Sequence, residues 1–245
     1  MASLKDVVDV LRCFSPKIGA LTVTEVAQRL SWPKSNVSRL LKSMMEVGLL
    51  DKAAEGRGYS PGIMLLGLGQ VAAAGMTWGV RADSAIAQLS ASTGHSGFVS
   101  AREGTAMVGL TQHMGSNVLQ VGLSLGTRLP VDACATGRSL LALMADEEVR
   151  ELLRNQVSKV SPQSPASIDD LLARLKVVRE KGYAESHDEA GKGVGAIAVA
   201  LPNATGPDPI SICLTFPWAT VDAHERSQLI EQLLQTKASL YRGIE

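Results

Sequence analysis

The sequence has few features of a secreted, metal-binding or membrane protein. Its three cysteines, Cys13, Cys134 and Cys213, lie far apart and form no C-x-x-C pair, so neither a disulfide framework nor a zinc knuckle is predicted. The amino end has no basic region followed by an apolar core, so no signal peptide is predicted. The longest apolar run, residues 63–76, is too short for a bilayer and contains Gln70. We therefore expect a protein of the reducing cytoplasm.

Sequence signatures of catalysis are missing as well. No P-loop, G-x-S-x-G or H-E-x-x-H motif occurs, and no Cys or Ser is paired with a His at a recognisable spacing. His95, His113 and His187 could bind an effector or a metal ion, but a lone histidine is more often a surface or hydrogen-bonded residue, and no metal-ligand spacing occurs. No metal site is therefore predicted, and no cofactor is predicted either. The protein is not expected to be an enzyme, although a nucleophilic role for Cys134 or Cys213 stays open as an alternative.

The net charge is zero, but the charge is unevenly distributed. Residues 1–61 hold nine Lys and Arg against six Asp and Glu, which gives +3 in the first quarter and −3 in the remainder. Residues 33–45 hold three cations and no acid. This asymmetry predicts that the amino end meets a polyanion, although a solvated surface would have the same composition.

Residues 22–48 have the pattern of two short helices joined by a tight turn. Thr22 and Glu25 form the sequence of a capping box, which predicts that the first helix begins there. Pro33 cannot continue that helix but suits the first turn of the next. The second helix is predicted to bury Val37, Leu40, Leu41 and Met44 or Met45, and Gly48 ends it as a left-handed cap. Such a helix-turn-helix fits the major groove of DNA.

The polar side of the second helix supplies the predicted DNA contacts. Ser35, Asn36 and Arg39 are expected at or near base edges, because Asn can read adenine and Arg can read guanine through two hydrogen bonds. Phosphate contacts are predicted for Lys34, Ser38 and Lys42. Two short strands, at 49–52 and 59–61, predict a wing, whose Lys52 and Arg57 would reach phosphate or the minor groove. The alternative is that the two serines only cap the helix and the cations are merely solvated.

The rest of the chain is predicted to be α+β with a mainly antiparallel sheet. Helical patterns cover about 62–92, 135–144, 146–154, Ile168–Lys181 and about 222–241. The predicted strands are Gly97–Ala101, Ala106–Gln112, Val118–Val121, Tyr183–Glu185, Ala196–Leu201 and Ile210–Phe216. Strands linked as hairpins and interspersed with helices favour helices packed on an antiparallel sheet.

Four motifs, in order, resemble the IclR family of bacterial transcription regulators. They are the segment TVTEVAQRLSWPKSNVSRLLKSM, the segment Tyr59-Ser60-Pro61-Gly62 with Leu68-Gly69, the segment GTRLP with ATGRSLLA, and the segment VREKGY with GVGAIA. The resemblance implies a winged helix-turn-helix domain at 1–61, a linker helix at 62–78 and a GAF-like effector-binding domain at 79–245. It also implies homodimers or dimers of dimers that bind a small carboxylic or aromatic acid.

Matching the family motifs residue by residue implies a lining for the effector pocket, namely Val118, Leu129, Ala135, Thr136, Ser186, Val194, Ala196, Cys213 and Thr215. Two arguments are independent of the family. The backbone N–H groups of Ala135, Thr136 and Gly137 lie at a helix start, which attracts a carboxylate. Ser211, Cys213 and Thr215 alternate along one strand and so share a face. The alternative for Cys213 is a buried small hydrophobe.

The sequence thus predicts a DNA-binding regulator, more often a repressor, that is controlled by a small organic acid. Dimers would read two half-sites of a palindromic or pseudo-palindromic operator about 34 Å apart. Two alternatives are left open. One is an enzyme that uses a GAF-like domain with a Cys nucleophile, and the other is a DNA-binding scaffold that responds to no ligand.

Overall fold

The computed structural model describes residues 3–15, 18–53, 56, 58–74, 77–122, 125–202 and 209–242. The chain divides into two compact units, Met1–Met76 and Thr77–Glu245. The finer division into 1–61, 62–78 and 79–245 stays a prediction. Within the described ranges, no helix has the length and apolar character needed to cross a membrane.

Three helices build the core of the amino-terminal unit: α1 (Leu4–Leu11), α2 (Val23–Leu30) and α3 (Lys34–Glu46). Capping boxes begin the first two, formed by Ser3 with Asp6 and by Thr22 with Glu25. In each box the hydroxyl and the carboxylate each satisfy a backbone N–H group that the helix leaves free. Ser31 ends α2 in the left-handed conformation, with φ 55°, so the chain turns sharply into α3.

A β-hairpin follows the third helix, as the sequence predicts for a wing. Gly48, with φ 78°, reverses the chain after α3, and strands β1 (Leu50–Lys52) and β2 (Tyr59–Pro61) then pair antiparallel. The buried core of this unit is shared by the helices and the hairpin. It comprises Val10, Leu21, Val26, Ala27, Val37, Leu40, Leu41, Met44, Leu50 and Tyr59. Helix α4 (Ile63–Ala74) follows the hairpin.

The carboxy-terminal unit is built on one antiparallel sheet. Its strands are β3 (Ser96–Glu103), β4 (Ala106–His113), β5 (Arg128–Pro130), β6 (Ala184–His187), β7 (Val194–Leu201) and β8 (Ile210–Pro217). Their order across the sheet is β5-β4-β3-β8-β7-β6, and each neighbouring pair is antiparallel. The predicted α+β class is confirmed.

Helices cover both faces of this sheet. They are α5 (Thr77–Thr93), α6 (Ala135–Leu141), α7 (Asp146–Leu152), α8 (Ile168–Lys181) and α9 (Ala223–Arg242). A Cβ atom on Gly97 would meet Ile86 of α5, whereas the next residue, Phe98, packs in a cluster with Ala135 of α6. Because successive strand residues point to opposite faces, α5 and α6 lie on opposite sides of the sheet.

The predicted strand Val118–Val121 is wrong. These residues form bends and irregular structure, and the third strand of the sheet lies further on, at Arg128–Pro130. The outer edge of β4 is occupied by β5, since Val108 pairs with Arg128. Val118 has no face of the sheet to pack against, and its side chain is fully exposed.

Candidate nucleic-acid interface and ligand cavity

The third helix separates its apolar and polar residues on opposite sides. Its buried side chains are Val37, Leu40, Leu41 and Met44. The six side chains predicted to meet DNA are all exposed, namely Lys34, Ser35, Asn36, Ser38, Arg39 and Lys42. The helix is anchored to the core of its unit through one side and leaves the other side free. The role of these six side chains in DNA binding stays a prediction.

Asn36 and Arg39 are joined one helical turn apart. Arg39 Nη2 donates a hydrogen bond of 2.9 Å to Asn36 Oδ1. Both side chains are exposed in this arrangement. Lys42 lies 4.0 Å from Glu46 in an exposed pair, which is too weak to hold the ammonium in one place.

The wing carries one of its two predicted contacts within the described residues. Lys52 is exposed, and its Nζ lies 4.4 Å from the centre of the Tyr59 ring on the opposite strand. The face of the ring attracts the Lys52 ammonium, and the exposed side chain leaves that charge accessible to a phosphate. Arg57 lies outside the described residues.

A cavity of about 140 Å³ lies in the carboxy-terminal unit, between α6 and the sheet. Its wall is mainly apolar and includes Phe98, Met107, Val121 and Leu129. Eight of the nine residues predicted to bind an effector line it: Leu129, Ala135, Thr136, Ser186, Val194, Ala196, Cys213 and Thr215. The ninth, Val118, does not, because its side chain points into solvent. Val121 lines the wall in that segment. Contact of these residues with a ligand stays a prediction.

Two of the polar groups in the wall bond to the protein itself. Thr215 Oγ1 donates to the Val121 carbonyl at 3.0 Å, and Thr136 Oγ1 lies 3.3 Å from Cys134 Sγ. Ser100 was not predicted as a site residue. It is fully buried on β3, lines the cavity and has no hydrogen-bond partner among the described residues. Its alternation with Phe98 on a strand is a signal that sequence reasoning could have used.

The helix start at the cavity is less open than the sequence suggests. The N–H of Gly137 donates to Cys134 Sγ at 3.4 Å, so this group is already used in capping α6. The predicted carboxylate site is thereby reduced to the N–H groups of Ala135 and Thr136. Gly137 itself is required by a close approach, because a Cβ atom there would overlap the Val131 carbonyl.

The cysteines of this unit are poorly suited to nucleophilic chemistry. Cys134 and Cys213 are both buried, and burial raises the pKa of each thiol. Thiol nucleophiles act as thiolates, which a raised pKa disfavours at neutral pH. The geometry therefore gives no support to an enzyme with a Cys nucleophile.

The three histidines considered from the sequence have separate structural partners. His95 Nε2 lies 3.0 Å from Glu225 Oε1, and His113 Nε2 lies 2.7 Å from Asp83 Oδ1. His187 stacks on the Trp218 ring at 4.0 Å. Among the residues that the structure describes, no three His, Cys, Asp or Glu side chains are grouped to hold a metal ion.

A buried ion pair that the sequence does not suggest holds one wall of the cavity. Arg138 of α6 contacts both carboxylate oxygens of Glu189, with Nη2 to Oε1 at 3.0 Å. Arg138 Nη2 also donates to the Glu185 carbonyl at 2.7 Å. Ala190, the next residue after Glu189, lines the cavity. The pair therefore fixes the loop between β6 and β7 against α6.

Two family models match the chain, one in each of its two units. The model described as "Bacterial transcriptional regulator IclR C-terminal" matches residues 77–241, and the model described as "IclR helix-turn-helix domain" matches residues 3–54. Together the two matches take in most of the chain.

Individual relatives are distant, and their alignments cover from about four-fifths to nearly all of the chain. The HTH-type transcriptional regulator XynR of Escherichia coli is 28% identical over 247 residues, which is 99% of this chain and 96% of that protein. The HTH-type transcriptional repressor AllR of Escherichia coli is 24% identical over 81% of this chain and 74% of that protein. An IclR homolog from Microbacterium hydrocarbonoxydans, solved in complex with 4-hydroxybenzoate, shares the fold with a TM-score of 0.78 at 20% identity, and 96% and 95% of the two chains are covered.

Proposed function

Because the chain belongs to the IclR family of DNA-binding transcriptional regulators, we propose that it is a repressor controlled by a small organic acid. The acid would bind in the cavity between α6 and the sheet and change the affinity of α3 for its operator. The observation that carries this proposal is the cavity itself, since most of the residues implied by the family motifs line it. The repressor AllR supports the direction of control.

The amino-terminal unit supplies the proposed DNA contacts. Helix α3 would enter the major groove, with Ser35, Asn36 and Arg39 at base edges and the lysines on phosphates. The wing would add Lys52 and, outside the described residues, Arg57. One such unit covers a short half-site, so we propose a homodimer or dimer of dimers on a palindromic or pseudo-palindromic operator, in the cytoplasm.

The cavity wall favours a small acid with an apolar body. Phe98, Met107 and Leu129 offer apolar contacts, whereas the hydroxyls of Ser100, Thr136 and Ser186 offer hydrogen bonds. None of the described residues in the wall is Lys, Arg or His, so neutral donors would have to meet the carboxylate. The 4-hydroxybenzoate bound by the Microbacterium relative is an acid of this class.

Control would operate through two arrangements of the DNA-binding units. A ligand shifts such an equilibrium only as far as it binds one arrangement more tightly than the other. Residues 62–78, the proposed linker helix, connect the cavity-bearing unit to the helix-turn-helix. We place the conversion of ligand binding into half-site spacing in this segment.

The test measures operator affinity with and without ligand. A duplex selected from a random library by the full-length protein would be titrated at fixed salt, with and without saturating 4-hydroxybenzoate and a panel of aliphatic acids. We expect one of these acids to weaken binding at least tenfold, and the double variant Asn36→Ala, Arg39→Ala to lose specific binding. Equal affinity of the variant and the parent would refute the DNA interface. Equal affinity at every saturating acid, without any thermal shift, would favour a scaffold that responds to no ligand.

A further inference from the structure

The Ser100 hydroxyl is a polar group of the cavity wall that forms no hydrogen bond within the described part of the fold. Ser100 lies on β3, its side chain is fully buried, and its Oγ has no hydrogen-bond partner within the described part of the chain. Buried hydroxyls are normally paired, because an unpaired one loses its bonds to water without replacement. The Oγ is closed to water in the ligand-free fold, so a molecule in the cavity would reach it by displacing the atoms that cover it.

The surroundings of Ser100 show why the fold does not satisfy it. Its partner on β8 is Ser211, and its partner on β4 is Gly109, which has no side chain. The Ser211 hydroxyl is already committed, since it lies 2.8 Å from Ser139 Oγ and 3.3 Å from the Val199 carbonyl. Ser139 in turn donates to the Thr136 carbonyl at 2.8 Å. Ser100 is therefore adjacent to the hydrogen-bonded hydroxyls of Ser139 and Ser211 but forms no hydrogen bond with them.

Ser100 and Ser186 lie at different levels along the strands of the sheet. Ser100 is level with Ser211 across the strands, whereas Ser186 is level with Ala196 and Thr215. Ser211 and Thr215 are four residues apart on β8, which corresponds to about 13 Å along the strand. One carboxylate cannot contact both levels, so a ligand that uses both needs a second polar group.

We propose that Ser100 determines specificity by bonding to a hydroxyl group of the effector, distinct from the acid group. This inference rests on the proposed function, since it assumes that the cavity takes the effector. A hydroxyl suits Ser100 because each of the two groups both donates and accepts. The neighbouring Ser139 and Ser211 pair at 2.8 Å shows that this part of the unit accommodates paired hydroxyls. The ligand class is therefore a hydroxy acid with an apolar body.

The stability and ligand affinity of the variant Ser100→Ala distinguish a ligand-binding role from a structural one. Removing an unpartnered buried hydroxyl costs the ligand-free protein no hydrogen bond, so its melting temperature should stay unchanged or rise. Affinity for a hydroxylated acid should fall, and affinity for the same acid without the hydroxyl should not. A residue with a purely structural role would lower stability instead.

The experiment uses 4-hydroxybenzoate and benzoate, which differ only in one hydroxyl. Dissociation constants for both would be measured by calorimetry on the full chain, for wild type and Ser100→Ala. We expect wild type to prefer 4-hydroxybenzoate about tenfold, in line with one hydrogen bond in a buried site, and the variant to bind both acids alike. Ser211→Ala is the matched control, because its hydroxyl has partners. It should melt at a lower temperature and keep the preference.

The outcomes separate this inference from the function on which it rests. If Ser100→Ala keeps the tenfold preference, or melts below wild type without ligand, the role of Ser100 is refuted. If wild type binds both acids equally, the inference fails while the effector cavity stands. If wild type binds neither acid, the inference fails as stated, and the operator titration with the wider panel decides the proposed function independently.

Discussion

Arg138 of α6 and Glu189 of the β6–β7 loop form an ion pair in which both side chains are more than nine-tenths buried, at 3% and 7% exposure. A buried pair of this kind contributes less to stability than its contacts suggest, because both charges are removed from water. Loss of one partner is more damaging, because the other charge stays buried without compensation. The pair therefore makes the position of the loop depend on α6.

Arg138→Met should destabilise the carboxy-terminal unit strongly. We expect a loss of about 3 kcal/mol in the free energy of unfolding, at the lower end for a broken buried pair. The loss is limited because Arg174 Nη1 also lies 3.5 Å from Glu189 Oε1. Urea unfolding of the full chain, followed by circular dichroism, gives the measurement.

The control for that variant is Arg150→Met, which removes the same side chain from an exposed pair. Arg150 pairs with Asp169 at 2.5 Å, with side chains 38% and 78% exposed. An exposed pair contributes about 0–1 kcal/mol, so this variant should unfold close to wild type. Equal losses in the two variants would contradict the role given to the Arg138–Glu189 pair.

Gly137→Ala should damage the cavity through the backbone. A Cβ atom at this position would overlap the carbonyl of Val131, so α6 has to move away from that strand connection. We expect a loss of about 1–3 kcal/mol, typical of overpacking a well-packed site, together with weaker ligand binding. Gly67→Ala on α4 is the control, because nothing lies within 4 Å of its added Cβ. That variant should be neutral or stabilised by about 1 kcal/mol.

Patterns that depend on near neighbours in the chain could be read from the sequence. The capping box at Thr22 and the bounds of α8, Ile168–Lys181, follow from local hydrogen bonding and helical periodicity, and both are confirmed. The strand predicted at Val118–Val121 was wrong because a short apolar run does not reveal whether a sheet edge is free to receive it. Local preference cannot supply that information.

The missed features of the site depend on pairings that only the fold creates. Arg138 and Glu189 are 51 positions apart, and no local pattern links them. Ser100 lies on a predicted strand, but its lack of a partner depends on Gly109 and Ser211 beside it. Most of the cavity wall was predicted because the family motifs imply it, and its use by a ligand stays a prediction.

The capping box of α2 makes the stability of the amino-terminal unit depend on acid pH. The backbone N–H and hydroxyl of Thr22 bond to Glu25 and hold the pKa of this carboxyl below its ordinary value of 4.5. The ionised carboxylate is therefore favoured in the folded state, and its contribution is complete above the ordinary pKa. It is lost as the pH falls through the lower, folded pKa.

Comparison with Glu25→Gln isolates that effect. We expect wild type to be more stable than this variant at pH 7, with a difference that shrinks steadily as the pH is lowered from 5 to 3. Thermal unfolding at each pH is the measurement, and Glu151→Gln, on an exposed position of α7, controls for general acid effects. A difference that stays constant over this range would show that the charge of Glu25 does not support the cap.

Substitution of Arg39 and substitution of Lys42 should change DNA binding in different ways. Arg39 is held by Asn36 and is proposed to read a base, so Arg39→Ala should cost about 1–3 kcal/mol on the selected operator and relax specificity at one position. Lys42 is exposed and proposed to contact phosphate. Lys42→Ala should weaken binding to all duplexes alike and lower the slope of log affinity against log salt by about 1.

Titrations at several salt concentrations, on the operator and on a scrambled duplex, separate these two roles. Lys176→Ala removes an exposed charge from α8 in the other unit and serves as the control for net charge. Its affinity and salt slope should match wild type. If Arg39→Ala weakens both duplexes equally and changes the salt slope, Arg39 contacts phosphate and does not read a base. If Lys176→Ala reproduces the effect of Lys42→Ala, Lys42 acts through the overall charge of the protein and not through a phosphate contact made by α3.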